Sequence, residues 1–208
     1  MKSKRYFLLI SLVSMLVCSA CGIQEPGKEN TESTQRTEET QETESEFYIE
    51  ITDATEILTK AWDMYAAEDR FEIMGGHFET ALIGSPAEYD LTQTRDLVQM
   101  YCVPEEQVGN LDDAATMVDL YNTGRFMAGA YHIVDLEAVK DFADGIQAQV
   151  MANEWHGEKP EKLLVVKIDE QYVVSVSGRA SLVNEFKQKV EAVYQEMVTV
   201  MIEENIFQ

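Results

Sequence analysis

Residues 115–134, ATMVDLYNTGRFMAGAYHIV, decide the fold, because they contain two strand-like runs around a short turn. Residues 115–121 and 125–134 are rich in β-branched, aromatic and small apolar residues, which favour strands. The residues between the runs end in Gly124, which accepts the left-handed backbone of a bulged hairpin turn. The segment therefore predicts a β-hairpin.

The same pattern recurs further along the chain. A helical apolar period over residues 135–155 follows the first hairpin. Residues 162–168 and 172–177 then predict a second hairpin, and residues 180–203 predict a long amphipathic helix. The chain is therefore expected to contain two tandem ββα units.

Two such units predict an α+β fold, in which a four-stranded antiparallel sheet carries both helices on one face. In the last predicted strand, valines alternate with Ser175 and Ser177, as is typical of a sheet with one covered and one open face. Residues 54–68 and 91–101 predict two N-terminal helices that extend or flank the sheet.

The N-terminus has the layout of a secretory signal. Lys2, Lys4 and Arg5 precede an uninterrupted apolar run over residues 6–17. The run has roughly 12 residues, whereas a helix needs roughly 20 to cross a bilayer. Residues 1–21 are therefore predicted to be a signal peptide.

The end of this segment, Ser19-Ala20-Cys21, resembles the lipobox of bacterial lipoproteins. The resemblance implies that Cys21 receives diacylglycerol, and that acyl chains such as palmitate anchor the mature N-terminus in the membrane. Lipoboxes usually have leucine three residues before that cysteine, where this chain has Cys18. Cys18 stays open as an alternative site, although it follows the bulky Val17. Cys102 remains in the folded part, where we expect a buried apolar side chain.

Residues 22–46 differ in composition from the rest of the chain. They consist mainly of Glu, Thr, Gln and Ser, with no aliphatic residue after Ile23. Such a stretch buries too little apolar surface to offset the entropy of ordering, so a disordered acidic tether is predicted. Residues 47–208 then form a single α+β domain, which is long enough for one hydrophobic core.

The charge of the chain restricts its partners. It has 16 Lys and Arg against 38 Asp and Glu, a formal net charge of −22. After residue 46 there are 11 basic and 30 acidic residues, a net charge of −19. This balance disfavours nucleic acids and anionic lipid surfaces. It permits a cationic ligand or a basic protein partner at the cell surface, although acidic surfaces also serve solubility.

Four segments together resemble a known group of proteins. They are RFEIMGGHF at 70–78, DDAATMVDLYNTGRFMAGAYHIVD at 112–135, KLLVV at 162–166 and YVVSVSG at 172–178. These segments resemble small uncharacterised lipoproteins of Gram-positive, clostridial-type bacteria. The resemblance implies a lipid anchor on the extracellular face of a Gram-positive cell membrane, and it brings no catalytic motif.

His77 is the candidate for ligand contact. Gly75 and Gly76 allow a close approach of backbone, and Phe78 adds an aromatic wall. The alternative is a tight turn that happens to carry a histidine.

Other chemistry is not indicated. His77, His132 and His156 lie in no close metal-ligand spacing, so neither a metal nor a cofactor is predicted. The neighbouring carboxylates Asp112 and Asp113 are expected to diverge toward solvent, and no serine-hydrolase motif occurs. No catalytic residue is therefore predicted.

The sequence predicts a membrane-anchored, surface-exposed lipoprotein with a non-catalytic binding or interaction domain. Two alternatives remain open: an accessory solute-binding component of a membrane transporter, and a cell-envelope hydrolase that would use the histidines.

Overall fold

The computed structural model describes residues 48–207. The chain divides into two units, Met1–Thr43 and Glu44–Gln208, and the described residues belong to the second. The predicted signal peptide, the lipidation site at Cys21 and the tether at 22–46 lie outside the described residues. Between residues 48 and 207, no helix is long and apolar enough to cross a membrane.

One antiparallel sheet organises these residues. Its eight strands are β1 (Ile73–Gly75), β2 (Leu82–Ile83), β3 (Ala87–Glu88), β4 (Leu111–Asp119), β5 (Phe126–Ile133), β6 (Lys162–Ile168), β7 (Tyr172–Gly178) and β8 (Val198–Asn205). The strand order is β2-β1-β4-β5-β7-β6-β8, and β3 pairs with β4 alongside β1. The two predicted hairpins are β4–β5 and β6–β7, and they join through β5 and β7.

Helices cover both faces of this sheet. The α-helices among residues 48–207 are α1 (Ala54–Asp63), α2 (Thr94–Gln99), α3 (Val139–Ala152) and α4 (Ala180–Tyr194). The buried side chains of α1 and α4 join one core cluster with Phe126 and Val174 of the sheet. The buried side chains of α2 and α3 join a second cluster with Tyr131 and Val173. The domain is therefore a three-layer α+β structure.

The predicted four-stranded sheet of two tandem ββα units, with its helices on one face, is wrong. The helices that follow the two hairpins, α3 and α4, lie on opposite faces. Ser175 and Ser177, expected on an open face, are buried instead, as is Val173 two residues earlier, which belongs to the α2 and α3 cluster. In β6, Leu163 to Val166 are all buried, the pattern of a strand that is covered on both sides.

The predicted helix over residues 180–203 is also too long. The α-helix ends at Tyr194, and Gln195 adopts a φ of 46°, a left-handed conformation that turns the chain. A short 3-10 turn follows, and then β8 pairs with β6 along seven positions. The last apolar run therefore forms an edge strand, which makes the sheet wider than predicted.

Candidate functional site

The N-terminus of α1 meets the beginning of β4. Asp53 caps the helix by accepting a hydrogen bond from the Glu56 N–H at 2.8 Å. Asp113 accepts another from the Ala54 N–H at 2.6 Å and so ties the first residue of the helix to the sheet. The register of β4 against β5 shifts at Asp112, which is typical of a β-bulge. The bulge lets the neighbouring carboxylates of Asp112 and Asp113 contact different partners.

The neighbouring aspartate, Asp112, contacts a histidine of β5. Its Oδ1 lies 2.5 Å from His132 Nδ1 on β5, and the His132 ring lies 4.8 Å from the Tyr172 ring on β7. Burial and the nearby carboxylate of Asp113 raise the pKa of Tyr172 to about 12. Asp112 and Asp113 therefore have different hydrogen-bond partners, and Asp113 contacts α1 rather than open solvent.

Two adjoining open clefts lie beside these residues and share Glu88 and Asp113. The larger has a volume of about 590 Å³ and the smaller about 360 Å³. The larger is lined by Asp53, Thr55, Glu56, Thr59, Lys60, Glu88 and Asp113. The smaller is lined by Thr80, Glu88, Tyr89, Asp90, Leu91, Asp112, Asp113 and Ala114. We call the two together the acidic cleft.

The electrostatics of the acidic cleft are uneven. Six carboxylates line it, and Lys60 is the single cation among the lining residues. Lys60 forms an ion pair with Glu56. Burial alone would raise the pKa of Glu56, but hydrogen bonds from Lys60 and Thr52 overcome it and lower that pKa to about 2. Burial raises the pKa of Asp113, which the Ala54 N–H partly offsets. The cleft therefore offers carboxylates that its own lysine does not neutralise.

The predicted ligand residues lie next to this cleft rather than in its wall. His77 is buried, and its ring meets the Tyr89 ring edge-on at 5.7 Å. Its Nδ1 accepts a hydrogen bond from the Glu79 N–H at 3.4 Å, and its Nε2 lies 3.7 Å from Asp96 Oδ2. Phe78 is exposed and does not form a wall with the imidazole. Tyr89 thus separates His77 from the smaller part of the cleft.

The glycine pair has a structural use that the sequence prediction did not identify. A side chain at Gly75 would stand 2.6 Å from the Ser85 carbonyl oxygen, in the segment that leads into β3. Gly76 has a φ of 85°, and its N–H donates to Thr116 Oγ1 at 3.1 Å. The close approach predicted here is therefore made by the chain's own backbone, and it places Glu88 in the acidic cleft.

A further cleft of about 500 Å³ lies between α2 and the end of α3. Cys102 and His156 are among its lining residues, and the Asn153 amide donates to Cys102 Sγ at 3.4 Å. The thiol is buried, and burial raises its pKa to about 11, so it is protonated at neutral pH. Across residues 48–207, no group of three His, Cys, Asp or Glu side chains is placed to hold a metal ion.

The sequence prediction missed most of the acidic cleft. Asp53 directly precedes a predicted helix, a place that by itself indicates a helix cap, and Glu88 lies in a strand of two residues that gives no periodic signal. The available signal was the density of carboxylates around residues 88–90 and 112–113, which the fold brings together.

Comparisons of the chain with protein-family models, with curated proteins and with solved structures gave no match. The resemblance to clostridial-type lipoproteins therefore stays a prediction.

Proposed function

We propose that the chain is a lipid-anchored lipoprotein on the extracellular face of a bacterial membrane, whose folded domain binds a cationic ligand or a basic protein without catalysing a reaction. The N-terminal layout supports the anchor, because a cationic start and a short apolar run lead to Ser19-Ala20-Cys21. The acidic stretch at 22–46 supports exposure of the domain at some distance from the lipid surface.

The acidic cleft is the observation that carries the binding function. Its carboxylates converge from α1, β3 and β4, so three elements of the fold contribute to one surface. Asp113 is half-buried there despite the cost of removing an ionised group from water. A cation placed between Glu88 and Asp113 would offset that cost, whereas an anion would increase it.

Metabolic labelling with an alkyne analogue of palmitate tests the anchor. We expect label on the wild-type chain and on Cys18→Ser, and none on Cys21→Ser. Mass spectrometry of the mature N-terminus then identifies the acylated residue. Label that persists on Cys21→Ser, or an unmodified N-terminus beyond residue 21, would contradict the proposal.

Titration with a short fluorescent peptide of alternating lysine and serine tests the cleft. Anisotropy should show binding that weakens as salt rises from about 0.05 to about 0.5 M, because salt screens the attraction. Glu88→Gln should weaken binding about threefold, which is the order of a partly exposed ion pair. Glu106→Gln, an exposed carboxylate in the 3-10 turn before β4, is the matched control. Equal binding by both variants would show that the cleft is not the site.

A further inference from the structure

The edge of the sheet beside the acidic cleft exposes large apolar side chains. Phe78 is 71% exposed, Leu82 55% and Ile83 75%. Leu82 and Ile83 form β2, the last strand of the sheet on this side, whose one neighbour among the described strands is β1. We call Phe78, Leu82 and Ile83 the β2 edge surface. Exposed apolar side chains grouped in one segment mark interaction surfaces more often than isolated ones do.

This surface is continuous with the acidic cleft. Thr80 belongs to the same 3-10 turn as Phe78, and it also lines the smaller part of the cleft. Glu88 and Asp112 line the same part of the cleft. A ligand that covers the β2 edge surface therefore has carboxylates within reach.

The negative charge and the apolar side chains of this combined surface indicate which kind of partner it can bind. A second copy of the chain would bring a net charge of −19 in its folded part against the same acidic cleft. An anionic lipid surface meets the same repulsion. A basic protein segment with apolar side chains complements both halves of the surface, because its cations face the carboxylates while its apolar groups cover Phe78 and Ile83.

We propose that the β2 edge surface and the acidic cleft together dock an extended, basic segment of a partner protein. The segment lies along β2, where a strand added to a sheet edge gains main-chain hydrogen bonds, and its lysine or arginine side chains reach the cleft. Phe78 and Ile83 are the apolar anchors. This inference rests on the proposed function and adds the class of partner and the mode of binding.

Two peptides of equal charge test the proposal: one alternates lysine with leucine, the other lysine with serine. Both are titrated against the mature chain carrying Cys21→Ser, which removes the lipid. The lysine–leucine peptide should bind about tenfold more tightly, since burial of apolar anchors dominates such interfaces. The double variant Phe78→Ser with Ile83→Ser should remove this difference by weakening the binding of the lysine–leucine peptide.

Two further variants test whether the preference depends on the β2 edge surface. Val200→Ser is the matched control, because Val200 is 42% exposed on β8 at the opposite edge of the sheet. It should keep the tenfold preference. Leu82→Ser should reduce the preference on its own, and circular dichroism should show an unchanged fold in each variant.

The outcomes separate this inference from the proposed function. Equal binding of the two peptides, or a preference that survives in the double variant, overturns the inference and leaves cation binding intact. If neither peptide binds, both fail. Dimerisation in sedimentation that Ile83→Ser abolishes would assign the surface to a second copy. Co-sedimentation with phosphatidylcholine–phosphatidylglycerol vesicles that depends on Phe78 would assign it to the membrane. Either result overturns the inference.

Discussion

The acidic residues at the two edges of the sheet differ in the partners that the chain gives them. At the β8 edge, Glu203 accepts hydrogen bonds from Lys162 and Lys187, each at 2.6 Å, and Glu204 accepts one from Gln147 of α3 at 2.6 Å. These contacts fasten the strand to both helical layers. The opposite edge consists of β1, β2 and β3, and we call it the β1–β3 edge. There, the one lysine that lines the acidic cleft pairs with Glu56, and the strands have two or three residues each.

The difference shows at which edge the chain itself supplies partners for the charged groups. The β8 strand is long enough to pair with another chain, but Glu203 is paired with Lys162 and Lys187, and the register of β8 against β6 shifts between Val165 and Val166. Such a shift is typical of edges that resist pairing. The β1–β3 edge leaves charge and apolar surface available.

Gly75→Ala should break the β1–β3 edge and give the largest effect. The added methyl group would collide with the backbone before β3, so we expect a loss of about 3 kcal/mol in the free energy of unfolding. Urea denaturation measures it. Gly109→Ala is the control, because no atom lies within 4 Å of a methyl group there. A loss at Gly75 no greater than the control would show that β3 is not seated by this glycine.

Lys162→Met should open the β8 edge. It removes a buried ammonium that holds both Glu203 and Asn184 of α4 at 2.6 Å. We expect a loss of about 2 kcal/mol, since Glu203 keeps Lys187 as a partner. Combining Lys162→Met with Glu203→Gln should cost less than the two single losses added together. Strict additivity of those losses would mean that the two side chains do not interact.

The pH dependence of stability should have opposite signs at the two edges. Hydrogen bonds from Lys162 and Lys187 lower the pKa of Glu203, so its carboxylate stabilises the fold above about pH 4.5 and loses this effect as the pH falls further. Burial raises the pKa of Asp113 above 3.8, so its ionised form opposes folding at neutral pH and protonation relieves this on acidification.

Unfolding of Glu203→Gln and Asp113→Asn between pH 7 and pH 3 measures these contributions. The deficit of Glu203→Gln relative to wild type, no more than about 1 kcal/mol, should shrink on acidification. The stability of Asp113→Asn should fall relative to that of wild type over the same range, because only wild type gains stability from protonation of Asp113. The same sign for both variants would remove the electrostatic distinction between the edges.

Ile83→Ser should give the smallest change in stability, within about 0.5 kcal/mol, because the side chain is exposed. Thermal unfolding measures it, with Val200→Ser as the comparison at the other edge. A loss above about 1 kcal/mol would show that Ile83 packs as core, and the β2 edge surface would no longer be an open one.

Strong periodic patterns in the sequence predicted the centre of the fold. Residues 162–168 were predicted as a strand with the bounds that β6 has, and both hairpins were predicted. The left-handed backbone predicted for Gly124 in the first turn is wrong, because Gly124 is not among the glycines with a positive φ. The presence of helices on both faces of the sheet was not predicted, because the alternation of Val and Ser in β7 is the pattern typical of a sheet with one open face. The serines are small and polar, yet they are buried on the face of the sheet that α2 and α3 cover.

The edges were harder to predict for two physical reasons. Val193, Met197 and Met201 follow each other at intervals of four, so β8 looked like the last turns of a helix. The contrary signal was its content of β-branched residues, Val198, Thr199, Val200 and Ile202. Strands as short as β2 and β3 have no period at all, and their position depends on long-range contacts such as that of Gly75.

The contact between Asp113 and the Ala54 N–H also joins the N-terminal end of the domain to the sheet. Tension on the chain before residue 48 enters at Ile49, whose N–H lies 3.3 Å from Met197 Sδ, and then reaches the first turn of α1. Asp113 links that turn to β4, and Ile57, Leu58 and Trp62 of α1 lie buried in the core. The carboxylate that shapes the cleft is therefore also one of the contacts through which a pull on the chain is passed to the sheet.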